Sequence, residues 1–458
     1  MTETDSFSHP GEEHFGRALA LLDPGEREQY LSLAELIANR PSQFLYELVQ
    51  FKEALTRRLS ISEAFDVFRD LVKFPGGTIE NLPIQSLFDV ASQHACVFHE
   101  IAPKGIGFTA QPSRVMGAGD QRSFDCVTRS LYLTCLPDAR VRGRSSFIEF
   151  RGTALLDFEG QELERVDDQL ILDLPVLQAT KNYVWMGASQ DKEIELDEAL
   201  TLLGPKTPQF GHWIWEYMPK YITATTFAEI PNVPILIDAH MPNTHREFLQ
   251  MVLSGNSKII EIPYNATVRV RRLWCASAQS YFPFWLKTFD PLWPNYIVAH
   301  PDRFAAVARE MLRRMEPALV SRNGPERVFL ARKPDQARQL ANYAEIEERA
   351  RQAGFFIVYL QDLSFAEQVR LIRCARHIIG TRGSALFLNF FARPGTRLCI
   401  LSSLHMLKLT SVTCLFERLG IDTTILTGPT IGEQTPNPNA DYVISEDTFQ
   451  SFLDRWLA

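Results

Sequence analysis

The sequence predicts an α/β protein with two open parallel sheets in series and a helical region ahead of them. Three observations carry this reading. From about residue 198, short apolar runs alternate with segments of helix length. A second alternation of the same kind begins near 302. Between them lies an aromatic, Pro-rich stretch, "SYFPFWLKTFDPLWPNY" (280–296), which reads as a linker. Short apolar runs separated by helical segments are strands joined by crossover helices, the pattern of a parallel sheet.

The elements follow in order. Residues 12–95 read as helical. In "QFLYELVQFKEALTRR", Phe44, Leu48, Phe51 and Leu55 recur on one face, and "SEAFDVFRDLVKF" repeats the pattern before stopping at Pro75-Gly76-Gly77. Such a region is either a structural cap or a docking module for a partner or a membrane surface. Residues 120–175 are rich in β-branched and apolar residues, with turns at Pro137-Asp138, Arg142-Gly143 and Glu159-Gly160, and predict short strands. The first alternation runs "ALTLLG", a helix through "GHWIWEYMPKYI", "VPILID", a helix near 244–254 and "KIIEIPY". The second runs from the helix "PDRFAAVAREMLRRM" through "RVFLAR", "FFIVYL", "HIIGT" and "RLCIL", with helices between them. "EDTFQSFLDRWLA" closes the chain as an amphipathic helix. The expected layout is therefore 1–100 helical, 101–285 short strands and then a Rossmann-like domain, 286–445 a second Rossmann-like domain, and 446–458 the closing helix.

Composition narrows the function. The net charge of −8 over 458 residues argues against a nucleic-acid binder, because phosphate backbones call for excess Lys and Arg. The seven cysteines, at 96, 126, 135, 275, 374, 399 and 414, include no close pair and read as reduced core residues. The N-terminus is polar and acidic, unlike a signal peptide, and no apolar run approaches the roughly 18–20 residues that span a bilayer. A cytoplasmic protein is the expectation.

The stretch "HIIGTRGSALFLNF" (377–390) points to chemistry. A buried strand ends in a small-residue turn that opens a helix, and free backbone N–H groups at such a turn suit an anion. Gly380-x-x-Gly383-x-Ala385 imitates part of a dinucleotide fingerprint, but the next strand, "RLCILSS", carries no acid to hold a ribose. The other reading is the diphosphate of a nucleotide sugar.

Here an ordered set of motifs becomes recognisable. The chain shows Ala331-Arg332, Arg338 with Asn342, Gly354-Phe355, Leu363-Ser364-Phe365-Ala366-Glu367-Gln368, Gly380-Thr381-Arg382-Gly383-Ser384, and Phe391 before Pro394-Gly395. Upstream stand "FGHWIWEYMPKY", "VPILID" and "KIIEIPYNATVRVRRLWCAS". Over about residues 130–402 the sequence resembles glycosyltransferase family 61. It departs from the family pattern at Arg382, where a His is usual, and at Ile400, where an acid is usual. The resemblance implies a GT-B architecture: two facing Rossmann-like domains, nucleotide in the C-terminal one, acceptor in the N-terminal one. It also implies sugar transfer with inversion.

Candidate site residues follow. The turn Thr381, Arg382, Gly383, Ser384 and Ala385 would hold the diphosphate. Arg332, after a strand, would neutralise phosphate, with Lys333 a weaker version of the same idea. Glu367 or Gln368, near a helix start, would contact ribose or lie on a solvated helix face. Arg269, Arg271 and Arg272 form a small basic cluster on a surface strand. His212, where strand turns to helix, is the candidate base, with Asp238 as the substitute. Trp213 and Trp215 beside it would stack on a sugar or pack in the core. No metal or cofactor is expected, and the constellation Asp238, His240 and His245 is the alternative that would make the protein a metal hydrolase. Neither Asp167-Asp168 nor His94, Cys96 and His99 completes a ligand set.

The function expected is inverting transfer from a nucleotide-sugar donor, UDP-linked, to a saccharide in surface polysaccharide synthesis. Peripheral contact with the inner membrane through the helical N-terminus goes with it. The alternative from another class is a non-catalytic nucleotide-sugar-binding protein.

Overall fold

The computed structural model describes residues 78–458, short of 158–175, 280–299 and several briefer stretches, 333–338 and 404–409 among them. The expected helices of 12–74 and the linker 280–296 lie outside the described residues. The protein is α/β, with two large sheets.

The first sheet is built from β1 (Thr78–Ser86), β2 (Val97–Ala102), β6 (Leu131–Arg142), β7 (Ile148–Phe150), β8 (Thr153–Leu156), β9 (Val176–Ala179), β10 (Tyr183–Ala188), β11 (Ile194–Thr201), β12 (Ile235–Asp238), β13 (Ile259–Ile262) and β14 (Thr267–Ala276). Its order is β13-β12-β11-β14-β6-β7-β8-β1-β10-β9, with β2 also on β6. β13, β12, β11 and β14 are parallel, joined by crossovers. β6 then pairs antiparallel to β14 from Thr267↔Arg142 to Ala276↔Leu133. The expectation of a wholly parallel sheet is thus corrected. Tight turns such as the one at Arg142-Gly143 return the chain antiparallel, whereas parallel neighbours need long crossovers.

The helical reading of 12–95 is corrected at its end. β1 alternates exposed Asn81, Pro83 and Gln85 with buried Leu82, Ile84 and Ser86, a period of two that no helix shares. Only α1 (Leu87–His94) is helical there, capped by Ser86 Oγ accepting from Asp89 N–H.

The second sheet contains β15 (Arg327–Ala331), β16 (Phe356–Tyr359), β17 (His377–Thr381), β18 (Arg397–Ser403) and β19 (Asp422–Gly428), plus β4 (Arg114–Met116). Its order is β16-β15-β17-β18-β19-β4, all parallel. β4 comes from far upstream, inside the segment assigned by sequence to the first domain. It covers the outer edge of β19, pairing Thr424↔Arg114 to Leu426↔Met116. β19 is buried from Thr423 to Gly428, so its edge needs a partner. A hairpin of β3 (Gly107–Ala110) and β5 (Phe124–Val127) flanks this strand.

Between the sheets lie α2 (Phe210–His212), α3 (Met218–Phe227), α4 (Asn243–Val252), α5 (Pro301–Met315), α7 (Phe365–Cys374) and α8 (Thr410–Arg418), while α6 (Tyr343–Gln352) and α9 (Glu446–Leu457) share a separate core on the second sheet. A π-turn, Trp213–Tyr217, separates α2 from α3, where sequence predicts one helix. Pro219 gives the reason. It has no N–H to donate, and its ring would crowd the Trp215 carbonyl in a regular helix, which the wider turn relieves.

One core runs through both layers. Leu200, Ile235 and Ile237 of the first sheet join Val328, Ile378 and Leu398 of the second through buried residues of α3, α4, α5 and α7. Phe365 is its hub: fully buried, stacked on Phe248 with ring centroids 4.4 Å apart, and edge-on to Phe391. Among the described residues, no helix is long and apolar enough to cross a membrane.

Phe365→Ala would leave a cavity where the two layers meet. It should lower unfolding free energy by about 3–5 kcal/mol, measured by urea denaturation.

Candidate functional site

Parallel strands expose their C-terminal ends to ligands where crossovers diverge to opposite sides. In the second sheet that point lies between β15 and β17: β16 pairs on one side of β15, β17 on the other. A crevice of about 530 Å³ opens there, within the ~300–1,000 Å³ usual for ligand sites. The residues after β15 and β17, the start of α7, the start of α4 and the loop before α2 wall it.

Six sequence-predicted residues meet in its lining: Arg332, Gln368, Thr381, Gly383, Ser384 and Ala385. Gly383 is fully extended (φ 176°), and a Cβ there would stand 3.6 Å from Arg332 Nη1. The glycine therefore leaves space beside the guanidinium. Ser384–Phe391 is a 3₁₀ helix rather than an α-helix. Among the described residues, the backbone N–H groups of Gly383, Ser384 and Ala385 donate to no acceptor. Arg332 is held across the strand ends: its N–H donates to Tyr343 Oη (3.0 Å) and its Nη1 to the Arg382 carbonyl (3.1 Å). It is the one formal charge among the described lining residues. N–H groups with no acceptor among the described residues, a helix start and a guanidinium are features that suit an anion.

Other predicted residues fall elsewhere. Arg382 does not line the crevice; its N–H donates to the Leu401 carbonyl. Glu367 is exposed and engaged in a capping box: its Oε2 accepts from Ser364 N–H (2.8 Å) and Ser364 Oγ (2.6 Å). These bonds, with Ser364 Oγ first, hold its pKa below the usual range. Lys333 and His240 lie outside the described residues. Arg269, Arg271 and Arg272 each face an acid, Asp138, Asp197 and Glu198, which neutralises the basic cluster. Trp213 and Trp215 are core residues, the latter stacked on Phe387.

Asp238 is corrected from candidate base to structural tie. It is fully buried at the end of β12. Its Oδ1 accepts from Arg144 N–H (2.5 Å), and its Oδ2 from Gly204 N–H (3.0 Å) and Thr207 Oγ1 (2.6 Å). One carboxylate thus fixes two loops at the edge of the first sheet. Burial pushes its pKa up to about 6, against the pull of these hydrogen bonds.

His212 is nearly but not fully buried, with Nδ1 3.2 Å from Glu216 Oε2 across the π-turn. Glu216 also lines a small, mainly apolar cavity of about 80 Å³ with Lys220 and Asp157. Lys206 belongs to the same neighbourhood. Burial lowers its pKa to about 8, and Glu216 partly offsets this. His212 does not line the crevice itself. Its neighbour Gly211 does reach the phosphate turn: a Cβ on Gly211 would meet the Phe387 ring at 2.8 Å and Ser384 Oγ at 3.3 Å.

Sequence reasoning noticed His245 only as a metal candidate. It is buried in the crevice wall at the start of α4, against Phe210 and Trp213. Burial lowers its pKa to about 4, so the ring is neutral. Among the described residues no cluster of three or more His, Cys, Asp or Glu could hold a metal.

With this geometry in place, comparison with known proteins gives one family match. Residues 210–399 fit the family model described as Glycosyltransferase 61, spanning His212, both sheets' crossovers and the anion turn. No curated protein matches the chain.

Asp238 generates a pH prediction. Its folded pKa lies above its unfolded value near 3.8, so its ionisation works against the folded state. The stability margin of the parent over Asp238→Asn is largest below about pH 4. It should shrink by up to about 3 kcal/mol as pH rises through 6. Chemical denaturation of both proteins from pH 4 to 7.5 measures this; a constant margin would place the titration elsewhere.

Proposed function

We propose, from the match of residues 210–399 to the family model described as Glycosyltransferase 61, that the chain transfers a sugar from a nucleotide-sugar donor, UDP-linked, to a saccharide acceptor with inversion. The observation that carries the donor assignment is the small-residue turn: three backbone N–H groups with no acceptor among the described residues, lining a crevice with the Arg332 guanidinium. In this reading the two sheets correspond to the halves of a GT-B enzyme, the second binding the donor diphosphate and the first presenting the acceptor. The acceptor is a growing surface glycan met at the inner face of a membrane by a cytoplasmic enzyme.

The chemistry then runs as a single displacement. The acceptor oxygen attacks the anomeric carbon from the side opposite the diphosphate, and the new glycosidic bond forms as the old one breaks. The bonding pair leaves with the diphosphate, whose growing charge is met by Arg332 and the N–H groups of Gly383 and Ser384. His212 takes the acceptor's proton. Support for this role is its position on the first sheet's side, one residue from the Gly211 contact with Ser384, with Glu216 beside its other nitrogen. Because His212 stands outside the crevice lining, a non-catalytic donor-binding protein is the second reading. Slow hydrolysis of the donor separates the two, since a binder releases no sugar.

Two variant sets test the proposal. Arg332→Ala and Gly383→Val should each weaken nucleoside diphosphate binding at least about tenfold by calorimetry, since charge-assisted hydrogen bonds contribute roughly 1.5–3 kcal/mol each. Parent-like affinity in both would move the donor elsewhere. His212→Ala and His212→Asn should lose roughly 10²–10⁴ in turnover with diphosphate affinity unchanged. Near-normal turnover in both would remove His212 from the mechanism.

A further inference from the structure

Among the described residues, three that are not glycine have a positive φ: Asp138, Arg144 and Arg151. Two are explained where they stand. Asp138 lies in β6 and forks onto Arg269, with oxygens 2.7 and 2.9 Å from its nitrogens. Arg151 turns the chain between β7 and β8 together with Gly152. Arg144 is different. The turn Arg142–Ser145 is closed by Ser145 N–H donating to the Arg142 carbonyl (3.2 Å). Arg144 holds its third position at φ 65°, a conformation that turns normally give to Gly or Asn. The glycine of this turn stands one residue earlier, at Gly143, where a Cβ would strike the Pro263 carbonyl. An arginine at positive φ is strained, and strain retained in a fold points to a side chain that is needed there.

The guanidinium of Arg144 has no ion pair and no hydrogen bond among the described residues, and its Nε is enclosed. The Asp238 carboxylate feels its charge, but the Asp238 oxygens are already filled by Arg144 N–H, Gly204 N–H and Thr207 Oγ1. Asp238 balances the charge formally, yet it is fully buried and closed to a ligand. Arg144 is half-buried, and its donors stay open. The same carboxylate ties the Arg144 turn to the loop 204–207, and so sets Lys206 beside Arg144. Burial lowers the Lys206 pKa to about 8, Glu216 opposes this, and the Arg144 charge adds to it. Lys206 is two residues from Pro208 of the crevice wall, and Glu216 lies beside His212. The two cations therefore stand on the acceptor's side of the proposed transfer.

We infer that Arg144, with Lys206 beside it, receives an oxyanion of the acceptor, so that the acceptor saccharide carries an acidic group, carboxylate or phosphate. This rests on the acceptor reading above and names its chemistry. A guanidinium presents a planar fork of donors that matches either oxyanion. A neutral saccharide brings no charge to meet it, and the strain at Arg144 would then serve nothing.

The test uses three oligosaccharides: tetragalacturonate, maltotetraose 6-phosphate and neutral maltotetraose. The parent, Arg144→Gly and Arg332→Ala are titrated with each by calorimetry. The parent should bind at least one acidic probe more tightly than maltotetraose, and the tighter of the two identifies the acid. Arg144→Gly should weaken that probe at least about tenfold, the weight of a charge-assisted hydrogen bond, with maltotetraose unchanged. Its melting temperature should equal or exceed the parent's, because glycine adopts φ 65° without strain. Arg332→Ala should bind the acidic probe as the parent does. A parent with no preference for acid overturns the inference, and so does an equal loss for maltotetraose. A lower melting temperature of Arg144→Gly would mark the side chain as structural and overturn it too. A loss confined to Arg332→Ala would put the acid in the crevice instead. Acidic binding through Arg144 without nucleoside diphosphate binding sinks the donor reading and leaves this site; the converse sinks this site alone.

Discussion

The site depends on one close approach. Gly211 lies so near Phe387 and Ser384 that even a methyl group would collide with the ring. This contact presses the helix start of the first sheet's layer onto the turn that follows β17. It fixes the height of the crevice and brings His212 within a residue of the proposed phosphate site. The shared core around Phe365 makes the approach rigid, because Phe248, Phe365 and Phe391 lock α4, α7 and the 3₁₀ helix together. Close-packed interiors move as blocks.

The two edges that meet at this contact are prepared differently. On the second sheet's side, backbone N–H groups of the turn have no acceptor among the described residues, and the Arg332 guanidinium is held by a carbonyl. On the first sheet's side, ionisable groups are buried together: Asp238 secures loops, Glu216 faces His212, and Lys206 sits near Glu216 with a lowered pKa. Titratable groups perturbed by burial at a strand's C-terminal edge are the raw material of proton transfer.

Much of this was legible in the sequence, and the failures have physical causes. The strand, small-residue turn and helix start of 377–391 could be read because all three are local. The capping role of Glu367 was equally local: Ser364-Phe365-Ala366-Glu367 spells the box, and the family resemblance drew attention away from it. β1 was likewise readable by its alternation but was absorbed into the helical run before it. Asp238 could not be judged, because its donors come from residues 144 and 204–207, distant in sequence and joined only by folding.

The strand β4 has a consequence for how the chain is made. Ser113, next to β4, donates to Glu417, 304 residues later, and Arg114–Met116 pair with β19 near the end of the chain. On a ribosome adding about 5–20 residues per second, that strand waits roughly 15–60 s for its partner. During this time the first sheet can close around its own strands, but the second cannot be completed at its outer edge. The second sheet's β19 is thus sealed by a strand made about three hundred residues earlier, so the described sheet is complete only once residue 428 has been added. Until then, the segment around residue 114 is a free strand that a chaperone, or another copy of the chain, can occupy.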